Sequence, residues 1–237
     1  IEPSSFTRLY RVYDCQIKDS ILGQQKLGCI TTEMIQDMID KHAYPIDDTT
    51  KPLARSGLKR LIQIIRPCMA RAVKDGIIKS NPADDVVVHS DSYIKTSTRK
   101  QLTLSDEQIE ELKEASLSRY KNGEYKSRDA LVLMVILNLG LRAGEALALE
   151  WGNVDYENKL IYINNTVQSN IYDIKTKKLY NRVKESPKTK SGIRVLKLND
   201  TTIFYLKELQ NYDKRKNIVS DYIASTNVGT RNTYRNL

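Results

Sequence analysis

Apolar side chains recur at three- and four-residue intervals through the N-terminal third of the chain, which predicts helices. The clearest helical stripe consists of Leu58, Leu61, Ile62, Ile65, Met69 and Val73. Pro67 is expected to interrupt and kink this helix, because proline has no amide proton to donate. Two earlier helices are predicted, one beginning at the cap-type residues Ser4 and Ser5 and one capped by Thr31.

The second half of the chain combines the helical periodicity with the two-residue alternation of strands. Ser105 and Gln108 predict a capping box, and the apolar run 131–141 predicts a buried helix that stops at Gly140 and restarts just beyond it. Residues 159–167 and 192–198 alternate as strands do, and a helix is expected over 201–213. The basic segment between the two strands is expected to form a further strand or flanking loops, ending in a turn at 190–192.

Gly76 and the Asn81-Pro82 pair end the helical part of the chain, and a polar, Ser/Thr-rich stretch follows them. We therefore predict an all-α domain over residues 1–90, a basic linker over 91–103 and an α+β domain over 104–237. The predicted fold class is mostly α with a small antiparallel β-sheet.

Composition excludes several classes of protein. No apolar run approaches the ~18 to 20 residues of a membrane span, and the N-terminal segment lacks the apolar core of a signal peptide. The chain does not start with methionine, so it is expected to begin within a longer protein. Three scattered cysteines and two histidines offer no zinc-ligand spacing, which favours a cytoplasmic protein without a metal or other cofactor.

Charge adds a candidate partner. The net charge is +9, and residues 175–197 hold nine Lys or Arg and one acid, Glu185. Such a block is typical of a nucleic-acid contact, although a solvated surface loop explains the charge alone equally well. The helix bearing Leu58 has a basic second face, and the linker is basic too. The candidate DNA-binding residues are Arg55, Lys59, Arg60, Arg66, Lys95, Arg99, Lys100, Lys188 and Arg194.

Three blocks resemble one known family. GLRAGEALALEW (140–151) looks like the first active-site box of the tyrosine recombinases, or phage integrases. SPKTKSGIRVLKL (186–198) is similar to that family's lysine-bearing hairpin. The segment from Leu53 to Val86, which closes with Ala-Val and Asn-Pro, resembles the last helix of the family's core-binding domain. The blocks occur in the family's order, and the nearest likeness is to integrases of conjugative transposons and temperate phages.

The resemblance implies a SAM-like core-binding domain followed by part of a catalytic domain. It also implies that DNA is cut without a metal, by transfer of a backbone phosphate to a tyrosine. Arg142 would bind the phosphate, and Glu145 would orient its guanidinium. Lys190 would be the general acid, with Lys188 as the alternative. Without the resemblance, Arg142 and Glu145 are equally a helix-end salt bridge, and Lys190 is an ordinary turn lysine.

The family's second box, His-x-x-Arg, is absent: His42 precedes Ala-Tyr-Pro and His89 precedes Ser-Asp-Ser. That box and the nucleophilic tyrosine are expected beyond Leu237, so Tyr234 is rejected as the nucleophile. Residues 222–231 also read slightly short against the family. By resemblance, the partners are double-stranded DNA sites, further copies of the chain in a tetramer, and accessory excision or DNA-bending proteins.

Two other functions remain open from the residues alone. A helix-turn-helix regulator without chemistry would account for the charge and the helices. It would not explain why an arginine precedes the turn instead of lying on a recognition helix. A helical scaffold protein would leave the clustering of positive charge unexplained.

Overall fold

The computed structural model describes residues 2–46, 50–88, 103–184 and 193–234. The chain divides into two compact units, residues 1–102 and 103–237. Among the described residues, helices make up most of the regular structure and the strands pair in antiparallel fashion, which confirms the predicted fold class. Of the predicted linker, the structure describes Thr103 alone. Residues 91–102, which include Lys95, Arg99 and Lys100, lie outside the described residues.

The first unit is helical. Its helices are α1 (Pro3–Val12), α2 (Ile21–Gln24), α3 (Thr32–Ala43) and α4 (Arg55–Lys74). A π-helical turn, Tyr13–Ile17, extends α1, and a 3₁₀ turn, Leu27–Cys29, precedes α3. Leu58, Leu61 and Ile65 of α4 are buried with Ile35 and Ile39 of α3 in one apolar cluster.

The helix starts follow local chemistry, with one correction. The hydroxyl of Thr31 accepts a hydrogen bond from the Met34 amide at 3.3 Å, which confirms the predicted cap of α3. The prediction of Ser4 and Ser5 as caps is wrong, because α1 already begins at Pro3 and has no side-chain cap. Proline suits the first helical position, where its fixed φ is already helical and no amide partner is needed.

Helix α4 continues through Pro67 to Lys74, so the predicted interruption is wrong. Proline removes one hydrogen bond of the helix, yet Ile65 before it and Met69 after it are both buried in the same cluster. Burial of the apolar face on both sides of Pro67 therefore outweighs the lost bond.

The second unit combines helices with two small sheets. Its helices are α5 (Asp106–Leu117), α6 (Arg128–Leu139), α7 (Ala143–Ala148) and α8 (Asp200–Arg215). Its strands are β1 (Val154–Asp155), β2 (Leu160–Ile163), β3 (Thr166–Asp173), β4 (Lys178–Lys184) and β5 (Arg194–Lys197). Ser105 and Gln108 exchange hydrogen bonds at the start of α5, which confirms the predicted capping box.

The strands form two separate antiparallel sheets, one in the order β1-β2-β5 and one of β3 and β4. The prediction of a single strand over 159–167 is wrong, because Asn164 and Asn165 separate β2 from β3 and the two strands pair with different partners. The basic segment contributes all of β4, whereas the predicted turn at 190–192 lies outside the described residues.

The core of the second unit packs α6 against α8. Leu131 and Val135 of α6 are buried with Leu206 and Leu209 of α8. A buried ion pair of this unit was not foreseen: Arg128, 2% exposed, donates to both carboxylate oxygens of Asp213 at 2.5 and 2.7 Å. The same guanidinium donates to the carbonyls of Ser225 and Ile223, and so joins α6, α8 and the segment after α8.

Candidate active site

The turn between α6 and α7 explains why an arginine follows the longest apolar run. Gly140 ends α6 in the left-handed region, with φ +58°, where glycine has no steric penalty. The Leu141 amide then donates to the Ile136 carbonyl at 3.1 Å. Leu141 is buried, whereas the next residue, Arg142, is extended and its side chain is 77% exposed. The turn thus buries the leucine and presents the guanidinium to solvent.

Glu145 lies beneath this guanidinium, with only 7% of its side chain exposed. Its Oε2 accepts the backbone amide of Arg142 at 2.9 Å, and its Oε1 accepts Nη1 of Arg142 at 2.9 Å. The first bond is the N3-to-N-cap half of a capping box, which fixes the carboxylate against the start of α7. Glu145 therefore holds both the backbone and the side chain of Arg142.

A second arginine holds the same carboxylate. Arg194, on β5 opposite Ile163 of β2, donates Nη1 to Oε1 and Nη2 to Oε2 of Glu145, both at 2.9 Å. Its side chain is 27% exposed. Sequence reasoning placed Arg194 among the DNA-binding candidates, since an arginine in a basic strand carries no signal of a partner 49 residues earlier.

Electrostatics keep Glu145 charged. Burial by itself raises the pKa of the Glu145 carboxyl, but the hydrogen bonds from Arg194, and then from the backbone and side chain of Arg142, outweigh it and lower that pKa to about 2. The same bonds to Glu145 raise the pKa of Arg194. Both groups are ionised at neutral pH, and the site is a carboxylate between two guanidiniums.

Gly144, between Arg142 and Glu145, lies very close to three oxygen atoms. A Cβ at this position would lie 2.6 Å from the hydroxyls of Thr166 and Tyr234 and 2.8 Å from the Val167 carbonyl. Tyr234 donates its hydroxyl proton to that carbonyl at 2.8 Å, and burial raises the pKa of its phenol. The start of α7 thus requires glycine because β3 and Tyr234 pack directly on it.

The basic face of α4 is a second predicted surface. Arg55 and Lys59 are exposed and Arg60 is half-buried. Arg66 is exposed too, and its guanidinium donates to the Ala83 carbonyl at 3.0 and 3.2 Å, in addition to an ion pair with Asp84. Arg66 therefore supports the turn after α4 as well as contributing to the basic face.

Strands β3 and β4 form a basic hairpin over residues 166–184. Val167 of β3 is buried against Leu147 and Ala148 of α7, which anchors the base of the hairpin beside the Arg142 turn. Its positively charged residues, mostly exposed, are Lys175, Lys177, Lys178, Arg182 and Lys184. Asp173 is its single acidic residue. The hairpin offers an anion-binding surface within the same unit as Arg142. Lys188 and Lys190 lie outside the described residues.

Among the described residues, no group of three or more His, Cys, Asp or Glu side chains is arranged to hold a metal ion. No described helix combines the length and the apolar character needed to cross a membrane.

The chain is similar in sequence to known proteins. The sequence model of the phage integrase family matches residues 102–236. A tyrosine recombinase XerC-like protein of Caldanaerobacter subterraneus subsp. tengcongensis is 28% identical over 220 residues, which cover 92% of this chain and 52% of that protein. Tyrosine recombinase XerC of Pediococcus pentosaceus is 23% identical over 138 residues, 57% of this chain and 43% of that protein. The chain thus spans about half the length of the curated relatives it matches.

Solved structures share the fold. The integrase of transposon Tn1549 in complex with transposon right-end DNA superposes with a TM-score of 0.69 at 16% identity, covering 98% of this chain and 68% of that one. A lambda integrase tetramer bound to a Holliday junction gives a TM-score of 0.55 at 13% identity, covering 98% of this chain and 54% of that one. At such identities the likeness concerns the fold.

Proposed function

Because the chain belongs to the phage integrase family, we propose that it is part of a site-specific DNA recombinase that integrates or excises a mobile element. The enzyme cleaves and rejoins DNA through a 3′-phosphotyrosine intermediate and needs no metal ion. One observation carries the proposal: the exposed guanidinium of Arg142 is anchored from beneath by the buried carboxylate of Glu145.

The chemistry suits a phosphate. In phosphoryl transfer, negative charge accumulates on the non-bridging oxygens of the transition state, and fixed donors aimed at them contribute most to catalysis. Arginine binds two such oxygens with its planar fork and stays charged throughout. Glu145 restrains Arg142 before DNA binds, so less side-chain freedom is lost when the phosphate arrives.

Without a metal, the 5′-oxygen leaving group needs a proton from a general acid. We assign this role to Lys190, with Lys188 as the alternative. Lys190→Ala is expected to slow cleavage of ordinary DNA, and its cleavage rate is expected to recover on a substrate with a better 5′ leaving group. The cleavage rate of Lys188→Ala is not expected to recover on that substrate. Rescue of Lys188→Ala instead would exchange the two roles, and rescue of neither would contradict a lysine acid. We assign neither the nucleophile nor the second active-site box to any residue of this chain.

DNA contacts are proposed for the basic face of α4, the linker and the β3–β4 hairpin. The basic side chains of these three regions suit the phosphates of a duplex, and several such contacts make binding fall steeply with salt. The domains are assigned as core-binding over 1–90, linker over 91–103 and catalytic over 104–237. Arg194 stays a candidate DNA contact only through the part of its side chain that Glu145 leaves exposed.

The regulator alternative finds no support. A recognition helix needs an exposed face to read bases, but five of the six residues of α7, Gly144–Ala148, are buried. The charged residue of this turn points outward from the N-cap position, not from the helix. An arginine held at a fixed point is better suited to bind a backbone phosphate than to read a sequence of bases.

The proposed partners are DNA recombination sites, other copies of the chain and accessory DNA-bending or excision proteins. The lambda integrase of similar fold is a tetramer on a Holliday junction, which supports assembly of several copies on DNA. We place the protein in the cytoplasm, where DNA is accessible and where its three free cysteines stay reduced.

A covalent trapping assay tests the proposal on the full-length gene product. The substrate is a nicked duplex from the ends of the DNA element that encodes the gene, so that cleavage releases a short strand and the adduct persists. We expect a detergent-resistant protein–DNA adduct that forms equally well with EDTA or magnesium. The absence of an adduct, or its loss with EDTA, would contradict a metal-independent tyrosine recombinase.

A further inference from the structure

Three charges meet at the turn between α6 and α7, and the carboxylate between the two guanidiniums is shared unequally. Arg194 occupies both oxygens of Glu145 with a parallel fork. Arg142 contributes one side-chain bond, from Nη1. Among the described residues, no acceptor takes a hydrogen bond from Nε or Nη2 of Arg142. The stronger, bidentate pair is therefore formed by Arg194 and not by the exposed arginine.

This division decides where the net positive charge lies. With Arg142 alone, Glu145 would neutralise it, and an arriving phosphate would compete with a buried carboxylate for the guanidinium. With both arginines the cluster carries one net positive charge. Arg194 is 27% exposed and Arg142 is 77% exposed, so that charge lies on the arginine that solvent, and hence DNA, can reach.

We propose that Arg194 is a positioning residue that balances the charge of Glu145 and so keeps the guanidinium of Arg142 available to a phosphate. The identity of that phosphate, a DNA backbone, rests on the proposed function. The charge balance itself does not, because it follows from the contacts of three side chains. Arg194 acts through Glu145 and need not touch the DNA.

A purely structural role for Arg194 is the competing explanation, since its ion pair also joins β5 to α7. The two explanations differ in what a second substitution does. If Arg194 only supports the fold, replacing Glu145 as well does not restore the rate of adduct formation. If Arg194 balances charge, Glu145→Gln in an Arg194→Met background removes the unbalanced carboxylate and returns the positive charge to Arg142.

The first measurement needs no catalysis. The side-chain carboxyl of Glu145 is titrated by ¹³C NMR in the wild-type chain and in Arg194→Met. The pKa of Glu145 is expected to rise from about 2 to above about 3 in the variant, because the main group that lowers it is gone while burial remains. An unchanged pKa would overturn the inference whatever the enzyme does. Lys216→Met is the matched control, since it removes a surface ion pair with Glu124 from the same unit.

The second measurement follows covalent adduct formation by the full-length protein. Arg194→Met is expected to slow it at least about tenfold, Arg194→Lys less, and Arg194→Met with Glu145→Gln is expected to recover most of the loss. A double variant as slow as Arg194→Met would contradict charge balance as the cause of the slowing. If the wild type forms no adduct, the proposed function fails, while the titration still decides the charge balance. Thermal unfolding of each variant verifies that it is folded.

Discussion

Replacing Arg128 with methionine is expected to destabilise the second unit severely. The guanidinium of Arg128 is 2% exposed and Asp213 is 9% exposed. Arg128 makes two bonds to that carboxylate and one each to the Ser225 and Ile223 carbonyls. Methionine fills a similar volume but donates nothing, so the carboxylate and two carbonyls lose their donor in the interior.

The magnitude follows from this burial. Breaking a buried ion pair by removing one partner costs about 3–5 kcal/mol, because an uncompensated charge remains out of water. With a urea dependence of at most ~3 kcal/mol per molar, the denaturation midpoint of the variant should fall by at least ~1 M. Such a loss is a large part of the total stability of a domain this size.

The chain provides its own probe for this experiment. Trp151 is the single tryptophan and packs against the core of the second unit, so its fluorescence reports that unit and not the helical one. Arg128→Met with Asp213→Leu should recover a substantial part of the loss, since no buried charge is then left alone. Lys159→Met, which breaks an exposed pair with Asp200, should leave the midpoint unchanged.

The reasoning would be refuted by a midpoint shift for Arg128→Met no larger than that of Lys159→Met. That result would mean that solvent reaches Asp213 in the variant. A double variant less stable than Arg128→Met would likewise contradict the assignment of the cost to an unpaired carboxylate.

Three further expectations can be tested by adduct formation, DNA titration and urea denaturation. Arg142→Lys in the full-length protein should abolish adduct formation. Its affinity for the DNA site, measured by DNA titration, should stay within about tenfold of the wild type, ~1.4 kcal/mol. Unfolding of the variant would instead indicate that Arg142 and Glu145 form a structural pair. Gly144→Ala should lower the urea midpoint, because its methyl group would overlap the Tyr234 and Thr166 hydroxyls, and an unchanged midpoint would contradict that packing. The pKa of Glu145 is lowered on folding, so its ionisation stabilises the fold above its ordinary pKa of 4.5, and this stability is lost as the pH falls towards about 2. The midpoint difference between wild type and Glu145→Gln should therefore shrink over that pH range, and a constant difference would show that the pKa is not lowered.

Local chemistry allowed much of the fold to be predicted. Thr31, the Ser105–Gln108 pair and Gly140 act on atoms within four residues of themselves, so their roles are visible in any short window. Helix α4 followed from its apolar periodicity for the same reason. At Pro67, where the predicted interruption was wrong, burial against another helix outweighed the local preference of proline.

The candidate site was only partly predictable. Arg142 and Glu145 are three residues apart, and their pairing followed from a short block of sequence together with the family resemblance. Arg194, in contrast, lies in an alternating basic strand that reads the same whether its arginine faces solvent or a carboxylate. The end of β2 at Ile163 and the separate β3–β4 hairpin were not predicted for a similar reason, because alternation does not reveal which strand is the partner.

The amino-acid sequence by itself determined the helix starts at Thr31 and Ser105 and the stop at Gly140, because these depend on bonds between near neighbours. Only the tertiary structure decided which charges far apart in the sequence meet. It joins Arg194 to Glu145 across 49 residues and Arg128 to Asp213 across 85. A buried charge must find a partner wherever packing brings one within reach, and that choice is made by the folded core and not by the spacing along the chain.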